Sequence, residues 1–171
     1  MAISHKCFLS YHHDDQGLVD DFISEFDDAE SCFITRGIRA PEDIINSDDT
    51  DYVMSQIRKR FLTDSTVTIV LIGRCTWARR FVDWEIQSSL RQPADGKPNG
   101  LMGVLLDPNA DTGTPPNRLK LNIDSGYAKW WKYPSSATSL SRLIDEAFDA
   151  RTDLASKISN PRERFTYNRT C

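Results

Sequence analysis

Residues 64–86, DSTVTIVLIGRCTWARRFVDWEI, decide the fold. The run TVTIVLIG at 66–73 is short, apolar and rich in β-branched residues, which suits a strand of a parallel sheet covered on both faces. The run ends at Gly73, passes Thr76 as a plausible helix cap and enters a helical pattern. Ala78, Val82, Ile86 and Leu90 fall on one stripe at about 100° per residue. Glu85 stands about 60° from Val82 on that wheel, at the border of the stripe. Its neighbours one turn away are Phe81, Val82, Ser88 and Ser89, so the helix itself brings no cation to it. A carboxylate at such a border either meets solvent or lines a cleft.

The same alternation extends in both directions. KCFLSY (6–11) and GLMGVLLD (100–107) read as two more buried strands, SCFITRGI (31–38) as a weaker one and YAKWWKY (127–133) as an edge strand. After Asp14 and Asp15 as N-caps, Leu18, Val19, Phe22, Ile23 and Phe26 recur at helical spacing. After Asp48 and Asp49, again the simplest N-caps, come Tyr52, Val53, Ile57 and Phe61. A last long helix carries Leu140, Leu143, Ile144, Ala147, Phe148 and Leu154. Residues 93–99 and 108–126 read as loops. Strand and helix in alternation predict an open parallel α/β sheet with right-handed crossovers. One domain over 1–159 is expected, followed by a polar tail, 160–171, that docking must order.

Composition narrows the chemistry. A net charge of −4 with no Lys/Arg-rich run excludes a nucleic-acid footprint, and IRKR at 57–60 reads as a solvated helix face. The longest apolar run is too short to cross a bilayer and no leader pattern appears, so a cytoplasmic protein without membrane contact is expected. Cys7, Cys32, Cys75 and Cys171 lie far apart, which excludes the usual zinc spacings and a dense disulfide framework. Cys7 and Cys32 read as small buried hydrophobes. His12 and His13 have no further histidine or spaced cysteine to complete a metal site, so no metal is expected. SYHHDDQG (10–17) has neither dinucleotide nor P-loop glycine spacing, and it lacks a flavodoxin's hydroxyl- and glycine-rich phosphate loop. Gly73-Arg74-Cys75 lacks the aspartate of a phospho-receiver. Trp77 and Trp84 point away from the stripe of their helix, and an outward tryptophan pair calls for cover by the tail, a loop or a second copy of the chain.

Residues 64–86 resemble the third strand and following helix of TIR-like domains, above all the DUF1863/Thoeris-type bacterial branch. There a T-V-x-x-V-L-I-G-x-x-T strand runs into R-[WF]-V-x-x-E-I. KCFLSYHHDD is similar to that family's first strand and loop. The resemblance implies a flavodoxin-like (TIR-like) sheet of about five strands with helices on both faces. It implies NAD⁺ as substrate rather than cofactor, cleaved at the nicotinamide–ribose bond, with Glu85 as the catalytic residue and Phe81 in place of the usual tryptophan. Ser10, Tyr11 and His12 at the end of the first strand, and Asp48 before the second helix, are the expected substrate contacts. The expected product is an ADP-ribose-derived, cyclic signal read by a downstream effector in antiphage defence. Two alternatives stay open at this point. One is a non-catalytic TIR-like interaction module that associates with itself or other proteins. The other is a nucleoside deoxyribosyltransferase-like enzyme, which also sets a glutamate beside a ribose.

Overall fold

A computed structural model of the chain describes residues 5–26, 33–34 and 49–171. Five parallel strands form one sheet in the order β2-β1-β3-β4-β5. They are β1 (Cys7–Ser10), β2 (Phe33–Ile34), β3 (Val67–Ile72), β4 (Gly100–Leu105) and β5 (Lys129–Trp131). Among the described residues the helices are α1 (Gln16–Phe26), α2 (Thr50–Ile57, continued by a wider turn over Arg58–Leu62), α3 (Arg80–Ser89), α4 (Asn117–Asp124) and α5 (Ala137–Asp153). This is the flavodoxin-like strand order, with the five strands and flanking helices that the alternation predicts.

A strand turns successive side chains to opposite faces of its sheet. On one face Leu9, Val67, Ile69, Leu71, Met102 and Val104 pack on Val19, Phe22 and Phe26 of α1 and Leu140, Leu143 and Ile144 of α5. On the other, Val70, Ile72, Leu101 and Leu105 meet Val82, Ile86 and Leu90 of α3 and Leu119 of α4. Beside them Phe8 packs with Val53, Met54 and Ile57 of α2 and with Trp84. A side chain on Gly100 would reach 2.1 Å from the Ala147 carbonyl oxygen, so the backbone of α5 rests directly on the start of β4.

Several local expectations shift. Asp49 does cap α2, accepting from the Asp51 and Tyr52 amides at 3.1 and 3.3 Å. The buried stripe of that helix is Val53, Met54 and Ile57, while Tyr52 is 48% exposed. In α1, Leu18 likewise turns outward. Thr76 does not cap α3. Its hydroxyl accepts from the Gly73 amide at 2.9 Å and donates to Leu71 O at 3.3 Å, closing the end of β3 before a single turn at Thr76–Ala78. Neither Asp14 nor Asp15 caps the start of α1. His12 Nδ1 accepts from the Asp14 amide at 3.2 Å and holds a short turn, His13–Asp15, that leads into it. Within the predicted loop 108–126 lies α4. Two of its three buried residues, Arg118 and Asn122, are polar, so no apolar period marks it; Pro116 at its start is the surviving signal.

The tail docks as a strap along the outer side of α3. Trp84, 5% exposed, donates its indole N–H to Phe165 O at 2.8 Å, so the outward tryptophan is covered by its own chain. Beneath lies a buried ion pair. Arg118 donates from Nε to Asp83 Oδ1 at 2.8 Å and from Nη2 to Asp83 Oδ2 at 3.4 Å. Its remaining donors reach Asn160 Oδ1, Pro161 O and Glu163 O at 3.1, 2.8 and 2.6 Å. Asp83 Oδ2 also accepts the Phe165 amide at 2.9 Å. At the far end Cys75 and Cys171 form a disulfide across 96 positions, a pairing their spacing did not reveal. Closing a loop of that length stabilises by on the order of 4–5 kcal/mol in a chain-entropy estimate.

Removing one member of a buried pair leaves the other charge without compensation. Arg118→Ala is therefore expected to cost about 3–5 kcal/mol, measured by urea denaturation. Arg118→Lys should recover only part, because one ammonium cannot fork across Asp83 and three strap acceptors. A loss below about 1 kcal/mol for the alanine variant would mean that water replaces the guanidinium, contrary to the burial of the pair.

Candidate functional site

Ligands of open parallel sheets bind where the strand order reverses, beyond the carboxyl ends of the strands. In the order β2-β1-β3-β4-β5 that point lies between β1 and β3. Two loops meet there. After β1 come Tyr11, His12 and the turn His13–Asp15; after β3 come Gly73, Thr76 and Arg79. They touch so closely that a Cβ on Gly73 would sit 2.1 Å from Asp15 Oδ2, so glycine is what admits the carboxylate. Burial, the largest influence, holds the Asp15 carboxyl above its usual pKa of 3.8.

His12 is 5% exposed. Burial pushes its pKa below 6.5, and Arg79 and His13 add to that, against the opposing charges of Asp14 and Asp15. Because Nδ1 accepts the Asp14 amide, the neutral ring carries its proton on Nε2. The ring is then a hydrogen-bond donor without a positive charge. His12, His13 and Asp14 bring three donor atoms within 4.8 Å of one another, but His12 Nδ1 is already engaged by the backbone.

Glu85 lies five residues beyond Arg80, roughly 7–8 Å along the axis of α3. It is 1% exposed, so the reading as a solvated surface carboxylate fails. Ser89 Oγ bonds the Glu85 carbonyl at 2.8 Å and Thr68 Oγ1 at 2.7 Å, tying this turn of α3 to β3. Phe81, one turn before Glu85, packs against the cluster of Phe8, Met54 and Trp84, with its ring 5.2 Å from that of Trp84. The Arg80 guanidinium lies over both rings at 5.5 and 5.4 Å. Ser10 follows Phe8 by two residues on β1, so both point to the α2/α3 side, and the buried Ser10 hydroxyl has no hydrogen-bond partner among the described residues.

The residues singled out from sequence thus separate. Ser10, Phe81 and Glu85 belong to the α2/α3 side of the sheet, and His12 stands in the loop after β1. Tyr11 goes to the other side, buried with α1 and α5, its hydroxyl donating to Gln16 Oε1 at 2.9 Å. Asp48 lies outside the described residues. Arg79, whose charge helps lower the His12 pKa, carried no sequence signal. A cavity of about 60 Å³ lined by Leu101, Met102, Tyr127, Trp131 and Leu143 lies at the opposite, amino ends of β4 and β5, away from these groups.

Fold and site together define a TIR-like domain. The family model for the TIR-like domain of the Thoeris protein ThsB matches residues 8–111, and the chain belongs to that family. No curated protein matches it. The match spans β1 to β4 and contains Glu85, whereas α4, β5, α5 and the strap lie beyond it. Among the described residues no helix is long and apolar enough to cross a membrane.

The His12 shift carries a sign. A base whose folded pKa lies below its unfolded 6.5 contributes full stability above that value and loses it as pH falls toward the folded pKa. Asp15 acts oppositely and lower on the scale: its contribution is present below 3.8 and lost as pH rises through its folded value. Between about pH 7.5 and 5.5 the parent should lose more stability than His12→Gln, measured by denaturation midpoints. Equal losses would show that His12 takes up its proton in the folded state as readily as in the unfolded one.

Proposed function

We propose that this protein cleaves NAD⁺ at the nicotinamide–ribose bond and makes an ADP-ribose-derived signal in antiphage defence. The observation that carries the reading is the burial of Glu85 on the motif helix α3, on the same side of the sheet as Ser10 at the reversal point. Family membership supports it, because the family match includes this glutamate.

The chemistry asks little of the protein. Nicotinamide departs as a neutral molecule, so its leaving needs no general acid. Electron density leaves the ribose C1′ with the departing nitrogen, and the centre becomes oxocarbenium-like. A preorganised carboxylate stabilises that charge and holds the ribose hydroxyls. In this reading Glu85 fills that role, Phe81 gives an apolar wall, and Ser10 and neutral His12 offer donors to the substrate. Water as acceptor gives ADP-ribose and a proton; a nitrogen of the same adenine gives a cyclic product. A downstream effector would read that nucleotide.

Incubation with NAD⁺, with nicotinamide release followed over time and products identified by mass spectrometry, tests the reading. Glu85→Gln keeps the volume and removes the charge, so release should fall roughly 10²–10³-fold. Circular dichroism and the melting curve should show the variant folded. A folded Glu85→Gln that releases nicotinamide at the parent rate would end this mechanism.

A further inference from the structure

The strap has two differently held parts. Residues 159–165 are anchored by buried groups: Asn122 exchanges two hydrogen bonds with Ser159, and Arg118 and Asp83 bind Asn160 through Phe165. Residues 166–171 are held by hydrogen bonds at the surface. Arg80 Nη1 donates to Thr166 O at 3.2 Å, and Arg79 Nη2 donates to Arg169 O at 2.9 Å. The Arg80 amide donates to Asn168 Oδ1 at 3.0 Å, and the Arg169 amide to Ala78 O at 2.9 Å. Surface bonds exchange readily with water, so the Cys75–Cys171 bond is what keeps this end in place. Cys171 is exposed and Cys75 half-buried, so the bridge lies at the surface.

What this end does is complete α3. The helix residue Arg79 at its N-cap offers no side-chain acceptor, and Asn168 supplies one to the first-turn amide instead. The same segment holds the Arg79 guanidinium, whose charge adds to the lowering of the His12 pKa. Cys75 itself belongs to the loop after β3, which meets the loop after β1 where Gly73 approaches Asp15.

We propose that Cys75 and Cys171 form a thiol–disulfide exchange site whose oxidation state decides whether the strap clamps the start of α3. The reactant is a dithiol. Its thiolate attacks the Cys171 sulfur, breaking the bridge and releasing the Cys75 thiolate, which takes a proton. The second sulfur of the dithiol then attacks the mixed disulfide and frees Cys171. Two electrons and two protons pass to the protein, and the dithiol ends as a disulfide. Residues 166–171 then leave α3 while 159–165 stay anchored, so the change is local and reversible.

The experiment compares the full chain oxidised in air with the same chain reduced by dithiothreitol. Peptide mapping should find Cys75 joined to Cys171 in the first sample alone. Native-state hydrogen exchange at the Arg80 amide should speed up about ten-fold or more on reduction, while the Ile86 amide stays unchanged. Cys171→Ser should match the reduced protein and ignore dithiothreitol, and Asn168→Ala should expose the Arg80 amide with the bridge intact. Absence of the joined peptide, or equal Arg80 exchange in both states, would overturn the proposal. The effect on catalysis rests on the NAD⁺ reading: reduction should lower nicotinamide release. If exchange responds as stated and neither state releases nicotinamide, the redox strap stands and the NAD⁺ reading falls.

Discussion

The buried pair of Arg118 and Asp83 is the constraint around which half of the molecule is arranged. An isolated charge in that position would be prohibitive, and a simple pair would still leave donors unsatisfied. Arg118 avoids both by spending every N–H: the carboxylate takes two, and Asn160, Pro161 and Glu163 take the rest. The guanidinium is thus a hub joining α3, α4 and the strap. Because the strap acceptors are mostly backbone carbonyls, its course is specified by geometry rather than by apolar side chains. The apolar reward comes afterwards, when Trp84 is covered.

That hub lies behind the helix that carries Glu85. One side of α3 faces the sheet through Val82, Ile86 and Leu90; the other is gripped by the strap. A helix held on both sides has little freedom to tilt, and a carboxylate on it keeps a fixed relation to β1 and β3. Such rigidity is what electrostatic stabilisation of a developing charge requires. The turn after β3 contributes in the same way, through the close approach of Gly73 to Asp15 and the double role of the Thr76 hydroxyl.

What the sequence discloses follows from the range of each interaction. The strands and the stripe of α3 are local patterns, and the order of elements follows from their alternation. Glu85 could be singled out because its place on the helical wheel conflicts with its charge. By contrast, Asp83 looks like an ordinary first-turn acid, and its partner stands 35 residues away in a helix with no apolar period. Cys75 and Cys171 look unrelated because nothing between them records that the chain returns along α3. Tyr11 shows a finer limit. Adjacent residues at a strand end point to opposite sides, so position alone did not say that Ser10 would face α3 and Tyr11 the α1 core.

The placement of the strap bears on how the protein is made. Asp83 and Trp84 leave the ribosome well before Arg118 and Phe165, at synthesis rates of about 5–20 residues per second. For several seconds α3 can dock its apolar stripe on the nascent sheet while its outer side still shows an uncompensated acid and a bare indole. Early collapse is therefore two-sided: local contacts stabilise α3 at once, and the most distant ones arrive last. During that interval the exposed tryptophan is a natural point of contact for a chaperone or for another growing chain. Arg118 then compensates the acid, and Phe165, arriving later still, seals the helix surface over the indole.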